Sequence, residues 1–193
     1  LIANQVVTRD KIARLCALAR NADMKVCVDD ERNVRDISEV ADEHGVTIGV
    51  LIEVDTSMGR AGVRTREHGV AIARLAQSLP GVAFRGVMSH QSLSGGPDRE
   101  TRHIGLRPYI QTCLDVKDAI EADGIPVEIV STGETMSYDL ATLMPGVTEV
   151  EGGSYALGCT GYANMEEFQI AGKVLSTVIS TPRPGTAIGD VGS

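Results

Sequence analysis

The feature that most constrains this chain is the run Val46–Val54, nine residues that are almost entirely apolar and are bounded by Gly45 and Asp55. A run of this length is too short for a buried helix and has no polar alternation, so it reads as a strand covered on both faces. It sits in a repeating rhythm. Leu1–Ala3, Met24–Val28, Val82–Met88, Val127–Val130 and Val147–Val150 are further short apolar runs. Amphipathic stretches separate them: Thr8–Arg20, with Ile12, Leu15, Leu18 and Ala19 at helical spacing, Glu31–His44, with Val34, Ile37, Val40 and Ala41 on one face, Glu67–Leu79, and Arg99–Asp123. Strand and helix in strict alternation imply βαβ units and a parallel sheet. About six strands precede Val150, enough for an open doubly wound sheet and two short of a (β/α)8 barrel. The tail breaks the rhythm: Lys173–Ser180 and Thr186–Val191 are β-rich, separated by Thr181–Gly185, with no helix between them. A second, β-type domain is expected to start there.

Composition narrows the class. Aromatic residues make up 3% and Trp is absent, so the core must be Val, Ile, Leu and Ala. A formal net charge of −8 disfavours a nucleic-acid backbone as partner. No apolar run approaches a membrane span, and no signal peptide opens the chain. Cys16, Cys27, Cys113 and Cys159 lie far apart without a C-x-x-C pair, as expected of reduced thiols in a cytoplasmic protein. The chain begins inside one apolar run and ends just after another, so part of the fold is expected to lie outside it.

In both parallel architectures ligands bind at the C-terminal ends of the strands. The residues that follow the strands are Asn4-Gln5, Asp29-Asp30, Asp55–Arg60, Ser89–Gln91, Ser131–Thr135 and Glu151–Tyr155. Hydroxyls, glycines and amides dominate this rim, the groups that cradle a phosphate. Neither a G-x-G-x-x-G nor a P-loop is present, which disfavours dinucleotides and nucleoside triphosphates. Asp29-Asp30 reads as the cap of the helix that starts at Glu31 rather than as a metal ligand pair.

Three segments carry a family resemblance. Ile52–Val63 (IEVDTSMGRAGV) resembles the EVDTGMGRxGV segment of alanine-racemase-like barrels. Val130–Thr135 (VSTGET) is similar to the VSGGGT phosphate loop of D-threonine aldolases, and Pro145–Tyr155 (PGVTEVEGGSY) to their PGVTEVQAGSY. They occur in the family order and span nearly the whole chain. The resemblance, to the D-threonine aldolase and D-serine dehydratase-like family of fold-type III pyridoxal-phosphate enzymes, selects the barrel. It implies a partial (β/α)8 barrel over residues 1–172, lacking its first strands, and the start of a truncated C-terminal β domain over residues 173–193.

It also implies roles. Ser131, Thr132, Gly133 and Thr135 would bind the cofactor phosphate, with Gly153 and Ser154 contributing backbone N–H groups. Glu134 stands where the family has glycine and should point away from the phosphate. Arg60 would approach the cofactor ring oxygen or the substrate carboxylate. Glu151 would keep the pyridine nitrogen protonated, which suits aldol cleavage or elimination better than racemisation. His90 and Gln91 could contact the ring or act as acid or base, and Tyr138 and Tyr155 could contact cofactor or substrate; His44, His68 and His103 read as solvated. The Schiff-base lysine of the family lies upstream of Leu1. The four lysines here, Lys11, Lys25, Lys117 and Lys173, stand on helices or at strand starts. The family's divalent metal is held by residues beyond Ser193, and no metal constellation is expected within this chain. The parent protein would then bind pyridoxal phosphate, pair as a homodimer and cleave a D-β-hydroxy amino acid such as D-threonine or D-serine. The chain by itself would be inactive. A D-serine dehydratase or a racemase of the same fold remains open. So do a non-catalytic pyridoxal-phosphate-binding protein, which the β-rich tail opposes, and a barrel that holds a sugar phosphate.

Overall fold

The computed structural model describes residues 1–91, 96, 98–158, 160–162 and 164–191. The reduced-thiol expectation for Cys159 lies outside these residues. The chain forms two compact units, Leu1–Gly152 and Gly153–Ser193.

In the first unit four parallel strands pair in chain order: β1 (Lys25–Val28), β2 (Ile48–Glu53), β3 (Val82–Ser89) and β4 (Ile129–Thr132). Every residue of β2 is buried, as its unbroken apolar run predicts. The apolar runs at Leu1–Ala3 and Val147–Val150 extend the sheet at its two edges, but each as a single parallel bridge rather than a full strand: Ile2 to Val26, and Ser131 to Glu149. These edges have a neighbour on one side alone, so two or three backbone hydrogen bonds hold each of them, such as Cys27 N–H to Ile2 O at 3.1 Å and Thr132 N–H to Glu149 O at 3.0 Å.

Four helices follow the strand ends: α1 (Arg9–Ala19), α2 (Glu31–Glu43), α3 (Arg66–Ser78) and α4 (Arg99–Ala122). The starts of α2, α3 and α4 are chemically determined. Asp30 accepts from Arg32 and Asn33 N–H, Thr65 from His68 N–H, and Asp98 from Thr101 N–H, each satisfying donors that have no partner inside the helix. Asp30 is therefore the cap that the sequence suggests. Val34, Ile37, Val40 and Ala41 are all buried on α2. On α1 the expectation fails at one position: Leu18 is exposed and Cys16 is buried instead. At about 100° per residue, position 16 returns to the Ile12 face and position 18 lies about 120° from it.

Across the sheet, Cys27, Leu51 and Met88 form a buried cluster with Ala3 and Ile129 against it. Gly86 permits the tightest contact. A Cβ there would stand 1.8 Å from the Ile129 carbonyl oxygen, so β3 and β4 meet at this register only with glycine. A short helix, α5 (Tyr138–Ala141), follows β4. Four residues are too few for periodicity to reveal, and Tyr138 opens this helix.

In the second unit, short 3-10 turns at Ser154–Ala156 and Thr160–Tyr162 precede an antiparallel hairpin of β5 (Val178–Arg183) and β6 (Thr186–Gly189). The segment expected to separate the two β runs starts too early. Thr181–Arg183 belongs to β5, and the turn itself is Pro184-Gly185. A proline is tolerated inside this strand because a two-stranded hairpin leaves one side of each strand unpaired.

Candidate active site

A cavity of about 210 Å³ opens at the C-terminal ends of the strands, lined by Ala3, Asn4, Arg60, Met88, Ser89, His90, Gly133 and Glu151. Of the residues singled out from the sequence, Arg60, His90, Gly133 and Glu151 thus share one cavity wall. Its lining residues come from the ends of five of the six apolar runs, β1 contributing none, which is how a parallel sheet brings distant residues to one place.

Glu151 is oriented from beneath. The Ser131 hydroxyl, fully buried at the end of β4, donates to Glu151 Oε1 at 2.6 Å. Glu53 is a second carboxylate at this level, 3% exposed, and it was missed in the sequence because it sits within an apolar run. Its Oε2 accepts from Gln5 Nε2 at 2.5 Å and its Oε1 lies 3.5 Å from Arg60 Nη2. The signal that could have found it is a carboxylate inside a fully buried strand, which has no reason to be there without a partner. Both carboxylates act on Cys27 of β1. Burial first, then the charges of Glu53 and Glu151, push the Cys27 thiol far above its ordinary value.

The loop that carries Arg60 is tied down at several points. After β2 it doubles back so that Val63 lies parallel to Val54, with Val63 N–H donating to Glu53 O and Asp55 N–H to Val63 O. Asp29 Oδ2 accepts from Gly62 N–H at 2.8 Å, and Asp55 Oδ1 from Gly59 N–H at 3.0 Å. Gly62 has φ +112°, and a Cβ there would stand 2.4 Å from Asp55 N, so the doubled-back path requires glycine. Asp29 therefore anchors the Arg60 loop.

His90 and Gln91 point to opposite sides, as successive residues at a strand end do. His90 lines the cavity, while Gln91 is wholly buried behind it. Gln91 Nε2 donates to Ser89 Oγ at 3.0 Å and to Thr132 Oγ1 at 2.8 Å. The two hydroxyls are 2.7 Å apart, and Ser89 in turn reaches the Cys113 thiol of α4. The hydroxyls of Ser131 and Thr132 are thus directed to protein partners. Glu134 and Thr135 are buried. Ser137 Oγ accepts from Glu134 N–H at 2.9 Å and donates to Gln91 Oε1 at 3.3 Å.

Gly153, Ser154 and Tyr155 belong to the second unit. There Ser154 Oγ accepts from the Tyr162 hydroxyl at 3.4 Å, and the half-exposed Tyr155 ring packs on Phe168 with centroids 5.8 Å apart. His103, expected to be solvated, instead lies 2.9 Å from Asp139 Oδ2, the oxygen that Arg99 and Arg102 also approach, at 2.8 and 3.0 Å. His44 is half-buried against its own helix, its Nδ1 2.8 Å from Val40 O. His68 pairs with Glu31 at 3.3 Å. Among the described residues, none that lines the cavity is a lysine. Lys25 pairs with Asp23 at the opposite end of β1, and Lys117 with Asp118 and Glu121 on α4. Among the described residues no group of three His, Cys, Asp or Glu could hold a metal ion, and no helix is long and apolar enough to cross a membrane.

Four parallel strands in chain order with a polar cavity at their C-terminal ends fit a (β/α)-barrel domain, and the family match decides for it. Residues 5–161 match the family "Alanine racemase, N-terminal domain", and the chain belongs to that family. It is 34% identical over 204 residues to a 3-hydroxy-D-aspartate aldolase of Paracoccus denitrificans, covering all of this chain and 53% of that protein. It is 34% identical over 197 residues to a D-threonine aldolase of an Arthrobacter species, covering 99% and 52%. The crystal structure of D-threonine aldolase from Filomicrobium marinum superposes with a TM-score of 0.86 at 30% identity, over 98% of this chain and 52% of that one. The chain thus spans about half the length of these relatives.

Proposed function

We propose that the protein carrying this chain is a pyridoxal-phosphate-dependent lyase that cleaves the Cα–Cβ bond of a D-β-hydroxy amino acid. The observation that carries the reading is Glu151, a carboxylate fixed by Ser131 on the wall of a cavity that also presents Arg60, His90 and Gly133. This donor set fits a phosphorylated pyridine: a carboxylate for a protonated ring nitrogen, a guanidinium for an oxyanion, an imidazole beside the ring. Its likeness to two aldolases over its whole length supports the same reading.

When bound, pyridoxal phosphate supplies the electron sink for the pair left at Cα as the bond breaks. Glu151 holds a proton at the pyridine nitrogen, which strengthens that sink. Arg60, held by Glu53, orients an anionic oxygen of cofactor or substrate. The loop from Ser131 to Thr135 would receive the phosphate with Gly133 on the cavity wall, while the hydroxyls of Ser131 and Thr132 and the N–H groups of Thr132 and Glu134 hold the loop's shape. His90 stands where a proton can be taken from or returned to the reacting amino acid. Among the described residues the cavity wall carries no lysine, which supports the reading that the covalent anchor comes from outside this chain and that the chain alone is inactive.

The test is turnover by the full-length protein. D-Threonine and 3-hydroxy-D-aspartate should release glycine and the matching aldehyde. Release of ammonia and a keto acid would instead make it a dehydratase, a reading favoured by 30% identity to the D-threo-3-hydroxyaspartate dehydratase of a Delftia species. No turnover of any D-β-hydroxy amino acid would overturn the lyase reading.

A further inference from the structure

We propose that Gln91 is a positioning residue that fixes the Ser131–Ser137 loop, and through it the grip of the site on the phosphate of its cofactor. This rests on the pyridoxal-phosphate reading above. Gln91 is fully buried and does not line the cavity, so it does not touch a ligand there. An amide does not titrate near neutral pH, so it has no proton to give or take.

Its hydrogen bonds tie together the two ends of one loop. Both N–H groups of its amide are used, one on Ser89 at the end of β3 and one on Thr132 at the end of β4. Its carbonyl oxygen accepts from Ser137, which caps the turn by accepting from Glu134 N–H. Only four residues separate Thr132 from Ser137, and with both ends clamped to one side chain the backbone of Gly133–Met136 has few conformations left. The Ser89–Thr132 contact and the Ser89–Cys113 contact complete the network, so each hydroxyl has somewhere to donate. A buried polar network that is fully satisfied is rigid, and loss of one member strands the others without partners. The loop proposed to receive the phosphate, whose Gly133 lines the cavity, is thereby held in shape from behind.

The test uses the full-length apo-protein, titrated with pyridoxal phosphate and with pyridoxal, which lacks the phosphate. Gln91→Met keeps the length and removes every hydrogen bond; Ser137→Ala removes one partner and is the milder change. Gln91→Met should raise the dissociation constant for pyridoxal phosphate by about tenfold or more, and Ser137→Ala by less, while pyridoxal binding changes by no more than about twofold. Should Gln91→Met fail to fold, Ser137→Ala carries the comparison alone. Equal weakening of both ligands, or no weakening of either, overturns the positioning role and leaves the cofactor reading intact. A wild-type protein that binds neither ligand overturns the cofactor reading itself, and this inference with it.

Discussion

The Ser131 hydroxyl donates to Glu151 Oε1 at 2.6 Å, joining the end of one strand to the segment that follows the next. This bond fixes which way the carboxylate faces and leaves its second oxygen for the cavity. Glu151→Gln in the full-length enzyme should therefore keep the fold and lower kcat by about a hundredfold, with a changed cofactor absorption spectrum. Unchanged spectrum and rate would mean that Glu151 does not serve the ring nitrogen.

Asp139 is the hub of the α4–α5 contact, with Arg99, Arg102 and His103 converging on one of its oxygens. Burial pushes its carboxyl up, but His103 and the two guanidiniums outweigh that and hold it below the ordinary value. Its folded pKa lies below its unfolded one. The ionised group therefore contributes stability above about pH 4, and the contribution is lost as pH falls through the folded value. Asp139→Asn should cost about 3 kcal/mol in urea unfolding at pH 7, because the buried Arg102 loses its counter-charge. The difference between variant and wild type should shrink below pH 4. A cost that does not depend on pH would contradict the ion-pair account.

Gly86 is where backbone approach, not conformation, demands glycine. Gly86→Ala places a methyl group against the Ile129 carbonyl at a register that β3 and β4 share over four pairs. The expected loss is about 3 kcal/mol, read from the denaturation midpoint. A variant as stable as wild type would show that β4 can shift its register without cost.

Much of this was legible in advance because it follows from periodicity. The fully buried β2, the apolar face of α2 and the Asp30 cap need only hydrophobic spacing and capping chemistry. The edges were less legible: the runs at Leu1–Ala3 and Val147–Val150 have strand composition, but one-sided pairing reduces each to a bridge. At the site, strand-end position located Arg60, His90, Gly133 and Glu151. It could not tell His90 from Gln91, since neighbouring residues face opposite ways and the sequence does not say which faces the cavity. Glu53 and the Asp139 cluster were invisible, because their partners Gln5, Arg60, Arg102 and His103 come close only in the folded chain.

Burial also sets thiol chemistry. It pushes the Cys113 thiol up to about 12, a contact with Ser89 acting the other way, and raises that of Cys27 further. In the native full-length protein at pH 8 neither should react with a thiol-specific disulfide reagent, and both should react after unfolding. Fast native labelling of either would show that the strand and helix layers open readily.

The most direct measurement is borohydride reduction of the full-length protein, followed by mass spectrometry of its peptides. The expected result is a pyridoxyl group on a lysine outside this chain, since no lysine lines the cavity among the described residues. An adduct on Lys25 or Lys173, or no adduct at all, would contradict the placement of a pyridoxal-phosphate site beside Glu151.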